Sequence, residues 1–213
     1  MVEEELEKMM SNLMERLYDN LGEAKAFAIS FTNFVYMYDD IKELDFTAPP
    51  CNHCKKTTQV KDYLVPKSGC RKPYAILDTY EFGVSIDLRN ELIQRFDIFE
   101  NDFRPIRNRT NEIIYYQITP QHVMLPIYQD NKWIAQPPCP ECGAVQYIDY
   151  EFVNEKGEPY YYMSQAALDD MHDLNVTSEK FDFHLPLFII SRRVYDFLIE
   201  KYPRTHYFPL FLK

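Results

Sequence analysis

Two cysteine pairs carry the clearest chemistry in this 213-residue chain: Cys51-Asn52-His53-Cys54 and Cys139-Pro140-Glu141-Cys142. A C-x-x-C turn aims two thiolates at one point. Two such turns complete a tetrahedral four-sulfur site, which suits zinc. That site has no open coordination position, so the zinc would be structural and not catalytic. The expectation is one zinc per chain on Cys51, Cys54, Cys139 and Cys142. His53 and Cys70 are the alternative ligands, and Cys70 is the odd cysteine of five. Pro138, Pro140 and Gly143 surround the second pair, and a glycine there lets the turn close in a left-handed conformation. Lys55 holds the corresponding place after the first pair. The pairs lie 84 residues apart, counted between Cys54 and Cys139, against ~15–20 in an ordinary zinc ribbon. A dithiol redox centre would want its cysteines at a helix N-terminus after a strand. The proline-rich flanks do not read that way.

The elements that must position these cysteines come from hydrophobic periodicity. Leu6, Met9, Met10, Leu13, Leu17 and Leu21 recur at helical spacing, so an extra N-terminal amphipathic helix is expected within residues 1–22. It could pack on the core or serve as a docking or dimerisation helix. Residues 25–38, 113–118, 122–128 and 145–153 read as strands, with Pro126 interrupting the third. A short helix is expected within 164–172, with Ser164 as its N-cap.

Two longer segments resemble each other. FGVSIDLRNELIQRFDIFENDFRP spans 82–105, and FIISRRVYDFLIEKYPRTHYFP spans 188–209. Phe82 meets Phe188, Val84 meets Ile190, Ser85 meets Ser191 and Leu92 meets Leu198. After a two-residue gap Pro105 meets Pro209. The pattern is a short strand, a serine N-cap, an amphipathic helix and a return to extended chain. Each copy follows one of the C-x-x-C pairs. The chain therefore reads as a single α+β domain over 23–213, built from pseudo-repeat halves of roughly 23–110 and 111–213. Its sheet is expected to be mixed or mainly antiparallel, with the two Ser-capped helices on it and zinc-knuckle turns at one end.

Charge is unevenly spread. The net charge is −10, from 23 Lys+Arg and 33 Asp+Glu. Residues 149–182 net −7 and residues 3–23 net −5, whereas 55–72 net +5. An acidic balance argues against nucleic acid as the main partner. The five glycines match no phosphate-cradling motif. His53, His122, His172, His184 and His206 form no H-E-x-x-H, and Ser85 and Ser191 stand where helix caps belong. The expectation is no catalysis. The start MVEEELEKMM is acidic where a signal peptide would be basic, and no run approaches the ~20 apolar residues of a membrane span. A cytoplasmic protein is expected, without a membrane partner.

The paired C-x-x-C motifs, each followed by a hydrophobic–Ser–helix–(Phe/Tyr)–Pro unit, resemble the double-CXXCG motif immunity proteins of bacterial polymorphic toxin systems. The resemblance rests most on CPECG at 139–143 and FIISRRVYDFLIEKY at 188–202. It implies a cytosolic inhibitor that binds a cognate protein toxin and blocks it without doing chemistry. Many such toxins are nucleases with basic clefts, which an acidic surface can occupy. Glu151, Glu155, Glu158, Tyr160, Tyr161, Asp169, Asp170 and Asp173 are the expected partner-binding residues. The competing reading is a zinc-ribbon-type protein that binds nucleic acid through the basic segment 55–72.

Overall fold

Ser85 and Ser191 each start a helix by the same local chemistry. The Ser85 hydroxyl accepts the Leu88 amide at 3.2 Å, and the Ser191 hydroxyl accepts the Val194 amide at 3.4 Å. Each thereby satisfies one of the donors a helix start leaves unpaired. Helix α1 (Ile86–Arg95) and helix α3 (Arg192–Lys201) follow, and the short helix α2 (Gln165–Asp170) lies between them, capped by Ser164. These come from a computed structural model. It describes residues 21–30, 73–78, 81–108, 110–127, 134–135, 137, 139–141, 147–148, 162–178, 186–203 and 206–212. The N-terminal helix expected within 1–22 and the basic segment 55–72 fall almost wholly outside them.

The strands are β1 (Ala26–Ser30), β2 (Tyr74–Asp78), β3 (Glu81–Val84), β4 (Phe103–Arg107), β5 (Ile113–Ile118) and β6 (Val123–Met124). They continue with β7 (Ile134–Ala135), β8 (Tyr147–Ile148), β9 (Tyr162–Met163), β10 (Leu174–Thr177), β11 (Phe188–Ser191) and β12 (His206–Leu212). The class is α+β, as expected. The expected single sheet is instead two principal sheets. A six-stranded mixed sheet, β6-β10-β11-β1-β12-β9, curls into a half-barrel, and a four-stranded antiparallel sheet runs β2-β3-β5-β4. Strands β7 and β8 make a separate pair.

The six-stranded sheet is buried on both faces, which is why β1 reads as a nearly continuous apolar run. Phe27 and Ile29 point into the larger core with Ile190, Val194, Leu198 and Tyr207. Ala26 and Ala28 point the other way, into a smaller core closed by Ala167 of α2, Met124, Met163 and Leu210. Small residues on that face let α2 approach closely. The larger core is shared between the sheets: Val84, Leu88, Leu92, Phe103 and Ile118 of the four-stranded sheet and α1 belong to it as well. Across this core α1 and α3 also touch. The Phe96 and Phe197 rings lie 5.4 Å apart, and Lys201 pairs with Glu91.

Candidate functional site

The expected partner-binding carboxylates that the structure describes lie where α2 ends and β10 begins. They behave differently from one another. Asp169 is exposed and accepts a hydrogen bond from Gln165 Nε2 at 2.7 Å. Asp170 is half-buried: its carboxylate accepts the Leu125 amide at 2.9 Å and lies 3.3 Å from His122 Nε2. Carboxylates at a helix C-terminus oppose the helix dipole, so a donor on Asp170 offsets an unfavourable placement. The His122 and His172 rings stack with centroids 4.0 Å apart. Asn175, fully buried, holds the turn: it accepts the His172 amide at 2.8 Å and donates to the carbonyls of His172 and Ile189.

Asp173 is only 3% exposed. Its carboxylate pairs with the Arg193 guanidinium, accepts the Asp97 amide at 2.7 Å, and accepts the Ser191 hydroxyl. It thus ties the start of α3 to the end of α1. A residue read as part of a solvated acidic run is buried inside the fold, and its charge faces Arg193. Burial pushes the Asp173 carboxyl up. The bonds from Arg193, Ser191 and Asp97 outweigh burial and hold it below the ordinary aspartate value of 3.8. A carboxylate depressed in the folded state stabilises the fold above its unfolded pKa, and that contribution is lost as pH falls through the folded value. Wild type should therefore lose stability on acidification below about pH 4. Asp173→Asn should cost about 2 kcal/mol at neutral pH and flatten that acid limb. Denaturant midpoints from pH 7 to pH 2.5 check both. An unchanged acid limb in the variant would assign it to other carboxylates, such as Glu112, which Asn108 and Thr110 hold low.

Ser85 and Ser191 both serve as helix caps, and the Ser191 hydroxyl also donates to Asp173. Among the described residues no group of three or more His, Cys, Asp or Glu is placed to hold a metal ion. Cys139 is half-buried beside an exposed Glu141. Cys51, Cys54 and Cys142 lie outside the described residues, as do Glu151, Glu155, Glu158, Tyr160 and Tyr161. No helix among the described residues is long and apolar enough to cross a membrane.

Sequence reasoning missed two polar features. The salt link of Asp173 to Arg193 joins residues far apart in the pattern, and no motif marks it. Gln117 is fully buried in β5, and neither atom of its side-chain amide has a hydrogen-bond partner. Beside it the Tyr115 hydroxyl donates to the Gly83 carbonyl at 3.1 Å. A buried glutamine inside IIYYQI looks like ordinary strand alternation, so the sequence carries no warning of it.

The chain matches no protein-family model, no curated protein and no solved structure.

Proposed function

We propose that this protein is an immunity protein, which neutralises a cognate bacterial toxin by covering its active or substrate-binding surface and does no catalysis of its own. One observation carries the reading. Each C-x-x-C pair is followed by the same unit of strand, capping serine, helix and proline-bearing strand. The charge is compatible with it. A net −10 with a −7 segment at 149–182 suits a basic partner such as a nuclease domain, and complementary charge speeds encounter. Asp169, exposed at the end of α2, and Glu151, Glu155, Glu158, Tyr160 and Tyr161 form the proposed contact surface. Asp173 leaves that set because Arg193 holds it. Asp170 contributes less than Asp169, because its carboxylate already caps the Leu125 amide. Zinc on Cys51, Cys54, Cys139 and Cys142 acts as a staple, and the protein acts in the cytoplasm.

The test is co-expression with the toxin encoded beside it. Protection from toxicity and co-purification of the pair are expected. Charge reversal at Asp169 and Glu151 together should slow association about tenfold and weaken its salt dependence. A protein that neither binds nor protects would sink the reading. A salt-sensitive shift of DNA or RNA at physiological salt would favour the basic segment 55–72 as the working surface.

A further inference from the structure

The four-stranded sheet and the centre of the six-stranded sheet are the same arrangement. One runs β2-β3-β5-β4 and the other β10-β11-β1-β12, with every neighbour antiparallel. The agreement extends to register. Tyr74, Val84, Tyr116 and Pro105 form one rung across the first sheet. Leu174, Ile190, Phe27 and Pro209 form the matching rung across the second. Beside each rung the capping serine donates its amide to the chain before the outer strand: Ser85 to the Pro73 carbonyl at 2.8 Å, Ser191 to the Asp173 carbonyl at 3.1 Å. Four residues after each serine, a planar side chain covers the central aromatic ring. Arg89 lies 4.5 Å over Tyr116, and Tyr195 stacks 3.6 Å from Phe27.

Equivalent residues also meet each other. The Phe82 and Phe188 rings pack edge to face at 5.7 Å. Leu88 and Val194, Leu92 and Leu198, and Ile118 and Ile29 line one apolar void. Contact between equivalents is the mark of a two-fold axis, here inside one chain.

The chain order then reveals an exchange. The first half supplies β1, β2, β3, α1 and β4. The second supplies β5, β10, β11, α3 and β12 in the same sequence. Yet β1 lies in the second half's sheet and β5 in the first half's. The cysteine pairs decide that β1 and β5 are true equivalents, and not a strand added at each end. Counted from equivalent residues, Cys51 follows Phe27 by 24 residues and Cys139 follows Tyr116 by 23.

We infer that the chain is a tandem duplication whose halves have exchanged their leading strands, so that each half closes the other's sheet. Strand β1 sits between β11 and β12, and β5 between β3 and β4. Neither half can be withdrawn without opening the other's sheet at its middle. The two halves are therefore interlocked, independently of what the protein binds.

The experiment cuts the full-length folded protein in the exposed hairpin between β4 and β5, through a protease site inserted between Thr110 and Asn111. The expected product is a nicked protein whose two fragments co-migrate in gel filtration. They should not exchange with isotope-labelled fragments until denaturant unfolds them. Separation of the fragments, or mixing in native buffer, would overturn the interlock. Hydrogen exchange of the uncut wild type gives a second readout. Amides of β5 and β1 should open with the same free energy and the same denaturant dependence. Opening of one central strand with at least tenfold less protection than the other would also overturn it.

Discussion

Phe27→Ala is expected to cost about 4 kcal/mol, and to be the most damaging single side-chain truncation in β1. Phe27 is fully buried, and its ring stacks on Tyr195 at 3.6 Å, nearly parallel to it. Its backbone lies at the centre of the six-stranded sheet, between Ile190 and Pro209. Truncation loses the transfer energy of the ring, leaves a cavity between sheet and helix, and removes the parallel stack on Tyr195. Tyr116 holds the matching place in the other sheet, but it is only partly buried and its cover is Arg89. Tyr116→Ala should therefore cost less, about 2 kcal/mol. Urea midpoints at unchanged m-value measure both. If Phe27→Ala lost under about 1 kcal/mol, the central place assigned to β1 would be wrong.

Phe27 also shows where the sequence was legible. The serine caps and the two ten-residue helices rest on local signals, and they stand where the pattern puts them. So does β5, since IIYYQI is bounded by Asn-Glu and Thr-Pro. The short helix capped by Ser164 is equally local. Strands β2 and β10 are not legible in the sequence, because YAILD and LNVT are too short to show a period, and LNVT lies within a run marked by its charge. The expected strand at 122–128 shrinks to Val123–Met124, where Leu125 and Pro126 are exposed. Pairing was illegible for a deeper reason. AFAIS and IIYYQI share little beyond one central aromatic, so nothing local announces that they play the same part. Which sheet each of these strands joins is a property of long-range register alone. Asp173 makes the same point for the candidate site. Among acidic neighbours it looks solvated, and only Arg193, Ser191 and Asp97 brought together by the fold reveal otherwise.

Stripping the proposed zinc is expected to have the largest effect of all. Structural zinc contributes apparent binding energies of roughly 10–16 kcal/mol at neutral pH, against about 5–15 kcal/mol of net stability for a whole domain. Distant thiolates converge only in the folded chain, so the metal's binding energy is folding energy. Here the two cysteine pairs fall in matching connections, one between β1 and β2, the other between β5 and β10. These are the connections that lead from each exchanged strand back to its own half, so a shared ion would tie the exchange shut. Freshly purified protein should hold about one zinc per chain. A chelator should lower the melting temperature by roughly 10 °C or more. Cys139→Ser should do the same, while Cys70→Ser should leave metal content and melting unchanged. Because the ion would act as a staple, Cys139→Ser should lose stability before it loses toxin binding, and at low temperature binding should survive. Protein that carries no zinc, or that melts at the same temperature after chelation, would remove the metal from this account. It would leave the exchanged strands as the tie between the halves.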